Sequence, residues 1–496
     1  MEGHRDQIME FLNSIPKLDE TITTDYSFYL AGKPSMPTQQ IIDTLRSGKF
    51  PSTIKGNFAF YFKDANRIVV AVDHLPTYNM FYCDSFCSHI YIPVQQTRRK
   101  LGKPVTDNQN IKIQMGLFWG GSVGEETSRN EIKRIPPAHY LEVMPNGSTK
   151  LTEYRNIYEH EVTDNYSISE LSDIIESYIK DHTKDKFALL QSSGTDSSTI
   201  LGYFRKLGIE HDAKYISLRG DNEHASEHPH IQRLADHYGT TVNWFNLGEY
   251  AGRNDQIMKN LEKDDPLFFS AYHRTYSAFW TEPHVLLKYK AIKDLGFGDH
   301  TVFTGEVGDQ IFGSRFGKIL LKFILQNPTA DVEQIAQLFL NCDTSRFLYS
   351  GISTDYIKVF ALPPVRKAND TAKEWFIKTW NKIQTNDLVN KIELIQYLYK
   401  GSHRVHNYNQ FPDVKFAHPF ADSGVFDYVW KIPGHMKLGD GGRSRMLSYE
   451  LVKDYMVDWP WRMAKTGVAV ISRDKKFDQI KEIYDRVQMV LGKHSG

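Results

Sequence analysis

The sequence predicts a two-part chain of class α/β and α+β: an N-terminal part with paired strands, then a parallel-sheet domain with a helical C-terminal portion. Three observations predict it. Residues 54–64 and 67–73 read as two strands joined by a polar turn. Phe187-Ala188-Leu189-Leu190 is a short apolar run that enters a small-residue loop and then a helical pattern. Strand and helix patterns then alternate as far as residue 247, as they do when crossover helices join parallel strands.

The elements follow in order. The polar stretch 156–169 separates the two parts, giving domains at 1–160 and 161–496. An amphipathic helix at 171–180 precedes the strand 187–190. A helix at 198–207 closes on Gly208, a strand occupies 214–218, a helix at 227–238 closes on Gly239, and a strand occupies 241–247. Glycine stands after each helix because the closing residue adopts the left-handed conformation. Beyond Gly313 the pattern is mainly helical, with helices at 319–325, 332–339, 372–383 and 477–491.

Composition narrows the function classes. The chain has 496 residues, 41% hydrophobic and 13% aromatic, ample for two large cores. Lys+Arg and Asp+Glu are equal at 60 each, so no polybasic excess points to nucleic acid or an anionic membrane surface. The first residues lack the apolar core of a signal peptide, and no run reaches the roughly 18 apolar residues of a membrane span. Three cysteines suit a reducing, cytoplasmic compartment.

Two segments carry chemistry. Gln191-Ser192-Ser193-Gly194-Thr195-Asp196-Ser197-Ser198 follows its strand directly, so backbone N–H groups can crowd phosphate oxygens at the start of the next helix. Asp196 stands where a carboxylate can hold Mg²⁺ against those phosphates. No G-x-x-x-x-G-K-[ST] occurs, which excludes the kinase-type phosphate loop. The second segment, Thr304-Gly305-Glu306-Val307-Gly308-Asp309-Gln310-Ile311-Phe312-Gly313, is a glycine-rich acidic turn after another strand.

The first segment resembles S-G-G-x-D-S, the PP-loop of ATP pyrophosphatases. The second resembles G-E-G-x-D-E-[LI]-F-G-G of asparagine synthetases. Asp265-Pro266, His418-Pro419-Phe420-Ala421-Asp422 and Arg462-Met463-Ala464-Lys465-Thr466-Gly467 resemble the family's D-P, R-x-P-F-L-D and R-x-K-x-G elements. Upstream, Gly56-Asn57-Phe58-Ala59-Phe60 with Ala71-Val72-Asp73, and Ile132-Lys133-Arg134-Ile135-Pro136-Pro137-Ala138, resemble the G-x-F-A-F…A-R-D core and the P-P-G turn of class II glutamine amidotransferases. The resemblance implies an Ntn-type αββα sandwich as the N-terminal domain and a HUP-like PP-loop parallel-sheet synthetase domain. Departures are Ser193 and Val307 for glycines, Gln310 for Glu, Ser314 for the last Gly, and Ala417-His418 where an arginine is expected. If position 193 needs positive φ, its serine costs about 1–2 kcal/mol.

The resemblance also assigns roles. ATP and Mg²⁺ are the implied cofactors. Adenine would meet Gln191 and Leu218, ribose Thr304 and Gly305, and pyrophosphate Ser192, Gly194, Asp196 and Ser197. Asp196 and Asp309 would hold the metal, while Glu306 and Lys465 would be catalytic, Glu306 toward the amine and Lys465 toward developing negative charge. A small-molecule or peptide carboxylate and ammonia or an amine are the implied partners, and a homodimer the implied oligomer. The chain begins Met1-Glu2-Gly3-His4 without the family's nucleophilic cysteine, so the N-terminal domain is expected to lack glutaminase activity. The functions to weigh are ammonia-dependent asparagine synthesis, closure of a β-lactam or peptide macrolactam, and a catalytically silent binding subunit. Gly296-Phe297-Gly298 follows a helix instead of a strand, the wrong context for a dinucleotide fingerprint. His224, His228, His230 and His237 have no cysteine nearby and read as a solvated surface, not a zinc site.

Overall fold

The computed structural model describes residues 19–83, 86–88, 99, 102–111, 124–163, 165–219, 228–246, 283–345, 363–409, 411, 413–437 and 445–462. Its N-terminal strands are β1 (Asp19–Ile22), β2 (Ser27–Pro34), β3 (Gly56–Lys63), β4 (Ile68–Val72), β5 (Phe81–Cys83), β6 (Phe86–Ser88), β7 (Lys133–Arg134), β8 (His139–Val143) and β9 (Thr149–Glu153). They form an antiparallel six-stranded sheet, order β1-β2-β3-β4-β8-β9, and a three-stranded sheet, order β6-β5-β7. One face of the larger sheet presents Phe28, Phe58, Phe60 and Phe62 to Ile41, Ile42 and Leu45 of the helix Thr38–Arg46. The other face buries Tyr29, Tyr61, Val70 and Val72 with Ile135. Burial on both faces is why β3 is apolar at nearly every position instead of alternating.

The second part is built on β10 (Phe187–Leu190), β11 (Lys214–Arg219), β12 (Val242–Asn246), β13 (Thr301–Phe303) and β14 (Lys415–Ala417). All pairs are parallel, in the order β12-β11-β10-β13-β14. The chain is thus mixed α/β, antiparallel first and parallel second. Leu190 pairs with Ile216, Leu189 with Phe303 and Phe303 with Ala417, so four strands end along one edge. That edge carries both chemical motifs.

Helix boundaries shift from the sequence pattern for local reasons. The helix expected at 171–180 runs Ile168–His182, because the Ser167 Oγ accepts the Glu170 N–H and caps its start. The helix expected at 198–207 runs Thr195–Leu207, with Gly194 as its extended N-cap and Gly208 closing it at φ 68°. Thr195, Asp196 and Ser197 therefore sit in the first helical turn, not in the loop. The helical region contains Arg315–Gln326, Val332–Ser345 and Pro363–Lys382, each longer than its periodic core suggested. Strand β14 was not anticipated, since three residues give no periodic signal. The helix expected at 477–491 lies outside the described residues.

The two parts are joined by a buried polar turn. After β4, the Asp73 carboxylate accepts the backbone N–H groups of Phe58 (2.8 Å), Leu75 (2.8 Å) and Thr77 (3.2 Å) and the Thr77 hydroxyl. Burial pushes this carboxyl up to about 6, opposed by those hydrogen bonds. The turn sends Leu75 into the core of the second part and sets His74 Nε2 3.1 Å from the Tyr397 hydroxyl. Around it, the Ser423 hydroxyl accepts the Gly56 N–H at 2.8 Å, and Lys55 pairs with Asp427 at 2.7 Å.

Two expectations about stability follow from this core. Ala138 occupies the glycine position of the P-P-G pattern and has φ 57°, with its backbone tied to Asp73 and Tyr154. Left-handed strain of about 1–2 kcal/mol exceeds glycine's entropic penalty of about 0.5–1 kcal/mol. Because the buried Cβ of Ala138 also contributes to the core, Ala138→Gly should raise unfolding stability by at most about 1 kcal/mol, read as a higher urea midpoint at unchanged slope. Lys437 is fully buried, its Nζ 4.1 Å from the Trp430 ring and without a hydrogen-bond partner; burial lowers its pKa to about 7. The unfolded chain binds this proton more tightly between pH 7 and 10.5, so Lys437 weakens folding most at neutral pH and below, and least near pH 10. Lys437→Met removes this cost but also takes a cation from beside the buried Glu393 and from Asp387, so its thermal midpoint relative to the native protein should be most favourable near pH 7 and should fall as the pH of a thermal-melt series approaches 10.

Candidate functional site

Strand β10 delivers the first motif to the sheet edge. The Gln191 N–H bonds the Ile216 carbonyl at 2.9 Å, extending the ladder one residue past the strand. The Ser197 hydroxyl then folds the loop back: it accepts the Ser192 N–H at 3.1 Å and donates to the Ser192 carbonyl at 3.0 Å or the Gly194 carbonyl at 3.2 Å. The Gly194 N–H reaches the Ser192 hydroxyl at 3.2 Å, and no side chain caps the helix that begins at Thr195. The result is an uncapped N-terminus of a 13-residue helix at the strand ends. Ser193 is not among the described non-glycine residues with positive φ, so the serine in place of the motif's first glycine carries no left-handed strain.

Strand β13 delivers the second motif against the first. A Cβ on Gly305 would lie 2.7 Å from the Asp196 Cβ and 3.1 Å from the Ser197 nitrogen; one on Gly308 would lie 2.4 Å from the Asp196 Oδ1. Only glycine permits this approach, and it brings Asp196 and Asp309 to one place. Between these glycines Val307 sits at φ 60°, ψ 0°, a left-handed conformation rare for a β-branched residue. It occupies a glycine position of the family pattern. Its strain is held by full burial against the core, where it flanks Gly401 together with Leu75.

A residue the sequence reading missed joins the two aspartates. Arg445, 6% exposed, places Nη1 on Asp196 and on the Thr195 hydroxyl (2.7 Å), and Nη2 on Asp309. It too has positive φ, at 58°. Arg445 matches no motif fragment, and its position shows only when the chain returns to the sheet edge.

Glu306 has partners that were also missed. The Tyr408 hydroxyl donates to Oε1 at 3.1 Å, Arg404 Nη1 approaches Oε2 at 3.5 Å, and Lys288 Nζ donates to the Tyr408 hydroxyl at 2.8 Å. Arg404 and Tyr408 lie on the helix Ser402–Asn409, which carries no motif. Thr304 is buried, its hydroxyl 2.7 Å from His418 Nδ1. Asn409 donates its amide N–H to the Thr77 carbonyl at 3.0 Å, which turns its oxygen toward His418 Nε2 at 3.1 Å. His418 Nε2 therefore carries the proton, and Nδ1 accepts from Thr304. Burial pushes the His418 imidazole down to about 4, so it is neutral near pH 7. Ala417 thus stands where the family pattern has its arginine, and the residue beside it is a neutral, hydrogen-bonded histidine.

Gln191, Ser192, Gly194, Asp196, Ser197, Thr304, Gly305, Glu306 and Asp309 are brought together, and Leu218 lies near the end of the adjoining β11. Lys465 and Asp265-Pro266 lie outside the described residues, whereas Arg462 is described and pairs with Asp458 at 2.6 Å on the surface. A cavity of about 820 Å³ lies between the N-terminal sheet and the helix Ile168–His182, and β14 residues Lys415 and Phe416 and the following His418 belong to its wall.

The asparagine synthase family model matches residues 179–488. The chain belongs to that family. Membership makes it an ATP-dependent ligase of the amide-forming synthetase type. Curated proteins give no match. Among the described residues, no helix of this synthetase is long and apolar enough to cross a membrane.

The donor set fits a divalent magnesium ion. Asp196 and Asp309 converge closely enough for one guanidinium to span them, and both offer hard carboxylate oxygens. No group of three or more ligating side chains occurs among the described residues, so phosphate and water oxygens would complete the shell.

The Tyr408 hydroxyl gives a test of this arrangement. Tyr408→Phe removes the link between Lys288 and Glu306 without altering the buried ring. ATP-dependent amide formation should fall about tenfold in kcat, equivalent to about 1.4 kcal/mol, with little change in KM for ATP in a steady-state assay.

Proposed function

We propose that this synthetase adenylates a substrate carboxylate, releasing pyrophosphate, and passes the acyl group to ammonia or an amine, releasing AMP, without hydrolysing glutamine. The observation that carries the proposal is the convergence of Asp196, Asp309 and Glu306 with an uncapped helix N-terminus at one sheet edge. Helix N–H groups and the Ser192–Ser197 loop suit the pyrophosphate portion of ATP. Asp196 and Asp309 would hold Mg²⁺, which when bound neutralises phosphate charge and favours departure of pyrophosphate.

The residues divide two steps between them. In the first, a carboxylate oxygen forms a bond to the α-phosphorus while the bond to pyrophosphate breaks. Gln191 and Leu218 would flank adenine, with Thr304 and Gly305 beside ribose, keeping the α-phosphate in line. In the second, the amine nitrogen bonds to the acyl carbon and AMP leaves with the bonding electron pair. Glu306, oriented by Tyr408 and Arg404, would receive the proton released by the amine. Lys465 would supply positive charge where the tetrahedral oxyanion forms. Glutamate at position 306 favours an aspartate-like reaction over ring closure.

The reading without glutamine hydrolysis draws on cysteine placement. Cys83 lies within β5 and is buried at 3% exposure, a poor setting for a nucleophile.

The test uses purified full-length protein with Mg–ATP, aspartate and ammonium, following AMP, pyrophosphate and asparagine together. AMP with equimolar asparagine is expected. AMP without asparagine would move the acceptor to another amine, and no AMP with intact ATP binding would support a silent binding subunit. Asp309→Asn should reduce AMP formation at least a hundredfold in a protein that circular dichroism shows to be folded, and glutamine in place of ammonium should yield no glutamate above a blank.

A further inference from the structure

Arg445 occupies the position between the two aspartates that a divalent cation would take. Its guanidinium spans Asp196 and Asp309 and also bonds the Thr195 hydroxyl at 2.7 Å, with the side chain 8% exposed. Its backbone is fixed from the far side: the Arg445 carbonyl accepts the Ser448 hydroxyl at 2.9 Å, and the Trp461 indole N–H donates to that hydroxyl at 2.8 Å. The charge is thus anchored at its base and extended at its head.

We propose that Arg445 is the resident counter-ion of the aspartate pair, that it excludes a free divalent cation, and that metal binds there only together with nucleotide phosphate. The proposal rests on the reading of Asp196 and Asp309 as the metal site. Its logic is electrostatic. Two carboxylates left bare in a largely buried position repel one another, and one guanidinium satisfies both with directed hydrogen bonds. A dication arriving alone must displace that guanidinium, leaving Arg445 charged, 8% exposed and without its acceptors. A metal–nucleotide complex brings its own anionic oxygens, so Arg445 exchanges carboxylate partners for phosphate as the metal takes over the aspartates. Arg445 is in this sense a positioning residue that makes metal binding conditional on nucleotide. Lysine at the same place would hold one carboxylate, lacking the planar fork that spans two.

The test is Mn²⁺ binding to the full-length protein, followed by electron paramagnetic resonance with and without an ATP analogue that cannot be cleaved between the α and β phosphates. The native protein should bind Mn²⁺ tightly only with the analogue. Arg445→Gln should bind Mn²⁺ alone at least tenfold more tightly than the native protein, Arg445→Lys should fall between, and Asp196→Asn added to Arg445→Gln should abolish the gain. Circular dichroism establishes that each variant is folded, and the native comparison with and without analogue needs no variant. Equal Mn²⁺ affinity with and without analogue in the native protein would overturn the proposal, as would an Arg445→Gln protein that is folded yet binds Mn²⁺ no better. Absence of bound Mn²⁺ under every condition, or a gain that survives Asp196→Asn, would instead overturn the metal assignment beneath it.

Discussion

Two carboxylates at neighbouring strand ends set the terms for the rest of this molecule. Parallel pairing of β10 with β13 fixes where the two strands stop, and the chain after each stop carries an aspartate into the same volume. Like charges that close are unfavourable unless a cation lies between them. The fold supplies one from a remote part of the sequence, and Arg445 accepts a left-handed backbone to reach it. The returning helix Met446–Glu450, which starts at that residue, packs near the helix Thr195–Leu207; its Val452 neighbourhood leaves no room for a Cβ at Gly202. The C-terminal return is therefore tied to the phosphate-loop helix by packing as well as by charge.

Backbone strain is concentrated where the site needs it. Among the described residues, Ala138, Val307 and Arg445 are the non-glycine residues with positive φ, and the last two touch or flank the aspartate pair. Val307 separates Gly305 and Gly308, whose missing side chains let Asp196 approach. A relaxed backbone at Val307 would rotate Glu306 and Asp309 relative to each other, since they are its near neighbours in the turn. The strain is sustained because Val307 is buried under Leu75 and Gly401, so apolar burial of roughly 1.5–3 kcal/mol outweighs the left-handed conformation.

Much of this was legible in the residues, and the exceptions have physical causes. Strand ends, loops and aspartates could be read because apolar runs followed by Ser, Gly and Asp have few other uses. Two of the three left-handed non-glycine residues described, Ala138 and Val307, stand at glycine positions of the family pattern, which the sequence reading does not connect with positive φ. The serine at 193 shows the converse: a glycine in a pattern need not mean positive φ. Arg404, Tyr408 and Lys288 could not be read, because each reaches the site through tertiary packing of helices that carry no motif, and Arg445 stands at a left-handed residue before a short helix that no local pattern marks. His418 was noticed as a departure, but its neutrality depends on burial and on the orientation of Asn409, neither of which leaves a local mark.

The N-terminal part is more than an attached domain. The Asp73 turn gathers four hydrogen bonds from Phe58, Leu75 and Thr77, and in doing so aims Leu75 at the underside of the Val307 turn. The same turn sets the Thr77 carbonyl to accept from Asn409, which in turn orients His418 and, through it, Thr304. Two routes, one apolar and one hydrogen-bonded, thus run from a strand end of the antiparallel sheet to the glycine-rich turn of the parallel sheet. Removing the N-terminal part would expose Leu75's partners and leave Asn409 and His418 without a fixed orientation, so the synthetase edge depends on the antiparallel sheet for its shape.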